Sequence, residues 1–109
     1  MISVEEVTGV LEGVIDPELG LDVVSLGMIR EVTVDAGRVT VSMTLTTATC
    51  PFWDLFVEQV RIAVLALPDA RDVQVDYVRH PPWHPDEMTP EARRVLDQQG
   101  FLPMFRMRG

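Results

Sequence analysis

A chain of 109 residues is sized for one domain with one core, and 47% hydrophobic content is enough to fold it. The net charge of −8, with nine arginines and no lysine, opposes nucleic-acid backbones and anionic membranes as partners. One cysteine excludes an internal disulfide framework and a self-contained four-cysteine metal site, and no apolar run is long enough for a membrane span or a secretory leader, so the expected compartment is the cytoplasm.

Ser3-Val4-Glu5-Glu6 has the form of a capping box, and Val4, Val7, Leu11 and Val14 recur at helical spacing. This predicts a helix from about Val4 to Val14, weakened by Gly9 and Gly13, which would let it lie close to a sheet. Asp16-Pro17-Glu18-Leu19-Gly20 ends it in a turn. The plainest role for Asp16 there is to accept backbone N–H groups. Leu21 to Gly27 is irregular but too apolar for a free linker, so it is expected to pack over the core. Met28 to Val34 reads as a strand, with Met28, Val32 and Val34 on one face, Ile29, Glu31 and Thr33 on the other, and Arg30 breaking the inner alternation. Asp35-Ala36-Gly37 is a hairpin turn. Arg38 to Leu45 alternates cleanly, with Val39, Val41, Met43 and Leu45 inward and Thr40, Ser42 and Thr44 outward. A sheet covered by helices on one side only follows.

The stretch Thr44 to Trp53 joins this strand to an apolar helix predicted from about Pro51 to Leu67. Pro51 suits the first helical position, which makes Cys50 the expected N-cap, at the positive end of the helix dipole. A thiol there ionises readily, and the thiolate is the form that attacks or binds metal. The alternative is a small buried apolar residue. The helix is apolar nearly all round, so part of it faces either the chain's own core or another chain. Asp72 to Val78 is the third strand. In Arg79 to Asp86, His80 and His84 could join Cys50 in a zinc-type site, but the prolines exclude a helical pairing and solvated loop histidines are the simpler reading. Trp83 is expected to lie as a lid on the core. Thr89-Pro90 opens a last helix, ending near Gly100. The segment Phe101 to Arg108 is apolar and basic in an acidic chain, suited to docking on its own domain or a partner.

Taken in order, Asp16-Pro17-Glu18-Leu19-Gly20, Val24-Ser25-Leu26-Gly27, Met43-Thr44-Leu45-Thr46-Thr47 with Cys50-Pro51, Pro81-Pro82-Trp83 and Met88-Thr89-Pro90-Glu91-Ala92-Arg93 resemble the metal–sulfur (iron–sulfur) cluster assembly domain family. The likeness covers roughly Val4 to Leu96 and is to the free-standing, SufT-like bacterial type and the cytosolic iron–sulfur targeting factor. It implies an α-β-β-α-β core with an extra C-terminal helix. It also implies a role in assembling, carrying or delivering iron–sulfur clusters, with Cys50 as the functional thiol and Asp16 and Glu18 as the acidic loop near it; Thr49, next to Cys50, is counted with them as an expected cofactor-binding residue. With no cysteine-rich zinc segment of the phenylacetate-type member and no ATPase sequence among these 109 residues, the free-standing form is the expectation.

These readings give a two-layer α/β (α+β) domain over residues 1–100 and a tail over 101–109. The three-stranded sheet has the first two strands antiparallel and the third running with the second, with helices on one face. The leading function is a cluster assembly or maturation factor without turnover of a small molecule. It would act on client apo-proteins and other assembly proteins, with a labile iron–sulfur cluster bridged by Cys50 between the chains of a homodimer. The alternatives are an enzyme using Cys50 as nucleophile with a histidine base, and a KH-like nucleic-acid module. The latter lacks the Gly-x-x-Gly clamp and has the wrong charge.

Overall fold

The structure is a computed structural model and describes residues 2–46 and 52–98. The tail over 101–109 and the expected helix end near Gly100 lie outside the described residues. Helix α1 (Val4–Leu11) starts with the expected capping box: Ser3 Oγ accepts from Glu6 N–H, and the Glu6 carboxylate accepts from Ser3 N–H. It is shorter than the spacing suggests. After Leu11 the bonds tighten to Gly13 N to Val10 O and Val14 N to Leu11 O, so Val14 is buried from a turn rather than from the helix. Val4, counted in the apolar stripe, is largely exposed, and nothing lies within 4 Å of where a Gly9 side chain would start. Gly9 therefore permits no close approach.

Strands β1 (Ile29–Asp35) and β2 (Arg38–Met43) form the expected antiparallel hairpin. Its two-residue loop, Ala36 at φ 52° and Gly37 at φ 85°, is left-handed at both positions, as the right-handed twist of a tight hairpin requires. Val39, Val41 and Met43 are fully buried. Two details depart from simple alternation. A bulge at Arg30 shifts the register so that Ile29 pairs with Met43 rather than lying on the face of Glu31. Thr44, expected to face outward, is buried, and its N–H donates to Met28 O at 2.8 Å, one step beyond the Ile29–Met43 pair.

Helix α2 (Trp53–Leu65) crosses back to β3 (Asp72–Tyr77), which pairs in parallel with β2, giving the order β1-β2-β3. Phe56, Val60 and Val64 recur at helical spacing and are fully buried, each contributing about 1.5–3 kcal/mol relative to exposure. With Val7 and Leu11 of α1, they cover the face of the sheet that carries Val39, Val41 and Met43. A single 3-10 turn (Pro85–Glu87) precedes α3 (Pro90–Gln98), whose first turn is capped by Thr89 Oγ1 accepting from Ala92 N–H. Ala92 and Leu96 join the same core.

Candidate functional site

A row of backbone bonds crosses the molecule where β2 ends. Val23 N donates to Val14 O, Met28 N to Val23 O, Thr44 N to Met28 O and Val78 N to Met43 O, all at 2.7–3.0 Å. This row ties four connections to one end of the sheet: the Asp16 turn, the 21–27 loop, the exit of β2 and the exit of β3. The β2–α2 connection leaves from this end. Thr47 to Pro51 lie outside the described residues, and the expectations placed on Thr49 and Cys50 fall there.

Asp16 is buried, and its Oδ1 accepts from Glu18 N–H at 2.8 Å and Leu19 N–H at 3.3 Å. Its own backbone bonds Leu21 O and Gly20 N. That is the turn chemistry expected of it, and it commits one carboxylate oxygen to holding the loop. Glu18, two residues on, is exposed. The N-cap of α2 is Phe52, which makes no side-chain cap bond. The expectation that Cys50 caps this helix and Pro51 opens it is therefore corrected: the first helical residue is Trp53, and Phe56 N donates to Phe52 O. The helix begins later because its first buried anchor is Phe56, and packing rather than the proline sets the entry point.

Beside the exit of β2 lies a cleft of about 370 Å³ walled by Thr44, Leu45 and Thr46 on one side and by Tyr77, Arg79 and His80 on the other. The Arg79 guanidinium sits 5.5 Å from the centre of the Tyr77 ring, and the Tyr77 ring is 5.1 Å from that of Trp53. Neither Tyr77 nor Arg79 stands out in the sequence as a site residue. Their signal is the period-two spacing, which puts an arginine on the same side as the last strand aromatic, facing the helix start. His84 is elsewhere: its Nδ1 accepts from Asp86 N–H at 3.1 Å, capping the 3-10 turn. Among the described residues no cluster of three His, Cys, Asp or Glu side chains is placed to hold a metal.

The other motif residues brace this end. Trp83 Nε1 donates to Leu26 O at 2.7 Å, as a lid anchored to the loop beneath it. Arg30, the bulge residue, donates to Pro81 O at 2.9 Å and lies 3.1 Å from Glu87. Thr89 N donates to Ser25 O, and Gly27, at φ 75°, packs so closely that a Cβ there would collide with the Glu87 carbonyl.

The sequence profile described as iron–sulfur cluster assembly protein matches residues 4–77. The chain is 41% identical to the Fe-S protein maturation auxiliary factor YitW of Bacillus subtilis, covering 87% of this chain and 94% of that one. It is 43% identical to the Fe-S protein maturation auxiliary factor SufT of Staphylococcus aureus, covering 76% and 96%. In structure it is similar to a domain of unknown function from Bacillus anthracis, with a TM-score of 0.82 and 34% identity over 85% of this chain and 90% of that one. Among the described residues no helix is long and apolar enough to cross a membrane.

Proposed function

This chain belongs to the iron–sulfur cluster assembly protein family, and from that premise we propose that it is a maturation factor that receives or hands on an iron–sulfur cluster through Cys50. The observation that carries the reading is the family match over residues 4–77, which contains the chain's one thiol. The cluster is cargo. Such clusters are ordinarily held by four thiolates. One chain offers one, and a pair of chains offers two, leaving positions that a client's cysteines can take. An incompletely ligated cluster is labile, which transfer needs and storage does not. Client apo-proteins and other assembly proteins are the partners this chemistry calls for.

The roles within the site divide by what each residue is already doing. Asp16 commits one carboxylate oxygen to the turn and is buried, so the exposed Glu18 is the more accessible acid to contact iron or a client. The Tyr77–Arg79 pair supplies a cationic wall beside the exit of β2 in an otherwise acidic chain, suited to a client's carboxylate or a cluster's negative charge. Anaerobic reconstitution with iron and sulfide, followed by transfer to an apo-client, tests the proposal. Wild type should take up iron and sulfide and activate the client. Cys50→Ser should do neither while remaining folded. A Cys50→Ser protein that matures a client as well as wild type does would end the assignment.

A further inference from the structure

The cleft beside the exit of β2 has one wall that belongs to no strand or helix. His80, Pro82 and Trp83 line it from the connection between β3 and the 3-10 turn. Among the described residues, a single hydrogen bond reaches the backbone of residues 80–82, from Arg30 Nη2 to Pro81 O at 2.9 Å. The register skip between Ile29 and Glu31 takes Arg30 out of the β1 ladder and lets its side chain reach this connection. The same nitrogen lies 3.1 Å from Glu87 Oε1. Arg30 Nε and Glu87 Oε2, which a two-bond fork would also pair, are buried and have no partner. A part-buried ion pair with two atoms left unmatched is a poor source of stability, because desolvation offsets most of its attraction. What the pair does fix is a position. Glu87 is itself placed by packing, since its carbonyl lies where a Cβ on Gly27 would be.

We propose that Arg30 is a positioning residue for the cleft: by holding the Pro81 carbonyl beside Glu87, it sets how His80 and Pro82 face Thr44 to Thr46. The inference rests on the proposed use of this cleft by a client. Arg30 is not among the residues that wall the cleft, so it acts through Pro81. Glu87 neutralises its charge, which leaves Arg79 as the cation that a client's carboxylate meets. With the bond made, the wall stands ready and a client spends no binding free energy on ordering it. Without the bond, residues 80–82 lose their one backbone tie, and the client has to order the wall as it binds. The loss is one of client affinity and not of cluster loading, because neither Arg30 nor Pro81 offers a ligand to iron.

Cluster transfer from the reconstituted full chain to an apo-client, measured over a range of client concentrations, tests this beside hydrogen exchange of the Trp83 indole. In Arg30→Met the half-saturating client concentration should rise at least about fivefold, with iron bound per chain and the rate at saturation unchanged. The Trp83 indole N–H, which donates to Leu26 O, should exchange at least about fivefold faster, and the Val39 and Val41 amides of the inner ladder should exchange as in wild type. One nitrogen makes both Arg30 contacts, so Arg30→Lys, with its single ammonium, should restore most of both effects. Arg30→Met combined with Glu87→Leu removes the unpaired carboxylate as well, and should keep the client defect at the wild-type urea midpoint. This double variant carries the test if Arg30→Met alone folds poorly. Wild-type half-saturation and indole exchange in Arg30→Met would overturn the proposal, and so would a defect matched by faster Val39 and Val41 exchange, which marks a general loosening. Arg79→Ala separates the two readings. If it raises half-saturation while Arg30→Met does not, the cleft serves the client and the positioning role alone fails. If Arg79→Ala has no effect, the cleft is not the client's surface and both readings fall.

Discussion

Asp16 is acidic and lies in a family motif, yet its carboxylate serves the backbone of its own turn. Asp16→Ala would leave the part-buried N–H of Glu18 and the buried N–H of Leu19 without their acceptor, at a cost of about 1–3 kcal/mol in urea denaturation. Asp16→Asn keeps an acceptor oxygen and should recover most of that. Client maturation then separates structure from chemistry: Asp16→Asn should work nearly as wild type, and Glu18→Gln should be impaired at full stability. The reverse order would return Asp16 to the cluster. Cys50 changes in the same spirit. Phe52 rather than Cys50 is the cap of α2, so Cys50→Ala and Cys50→Ser should agree in stability within about 0.5 kcal/mol. A larger gap between them would mean the thiol position does cap or pack. Gly27 is the opposite kind of motif residue, fixed by space. Gly27→Ala combines a left-handed φ with a collision on the Glu87 carbonyl and should cost about 1–3 kcal/mol or more.

Elements whose cues are local could be read from the sequence, and those set by distant packing could not. The Ser3–Glu6 box, the Ala36-Gly37 turn, the Thr89 cap and the inward valines of β2 all depend on neighbours within a few residues, and all are present. The start of α2 depends on where Phe56 meets the sheet, the Arg30 bulge on Pro81 and Glu87, and the bond from Arg61 to the Val73 carbonyl on α2 lying beside β3. None of these has a signal at short range. The site divides likewise. The turn role of Asp16 was legible, whereas Tyr77 and Arg79 became a wall only once β3 lay beside β2. Helix α1 offers a clean check on the local terms. Gly9 is exposed and helical, and a Cβ added there would meet nothing within 4 Å, so Gly9→Ala should raise stability by about 0.5–1 kcal/mol. No gain in the urea midpoint would mean that the end of α1 is frayed and its propensity is not being sampled.

At the scale of the molecule, one face of α2 faces solvent. Leu55, Ile62 and Leu65 are 41%, 58% and 41% exposed and fall on one side of the helix, opposite Phe56, Val60 and Val64. Single exposed apolar side chains are ordinary, but three on one helical face form a stripe. A two-fold pairing of α2 with its copy would cover it and bring two Cys50-bearing connections into one assembly, which the ligand count of a shared cluster calls for. Three side chains are a small contact, so the homodimer we propose is a weak one, populated at micromolar concentrations rather than obligate. Ile62 is the most exposed of the three, so Ile62→Asp should leave urea stability within about 0.5 kcal/mol of wild type. It would also place like charges against each other near the two-fold axis, and sedimentation should then show a monomer where wild type shows a dimer. Iron bound per chain after reconstitution should fall with the dimer, and transfer should fall with it. If wild type sediments as a monomer throughout the micromolar range, the stripe is not a self-interface. If Ile62→Asp is monomeric but still loads and transfers a cluster normally, a second thiol from a copy of the chain is not needed, and the missing ligands come from the client.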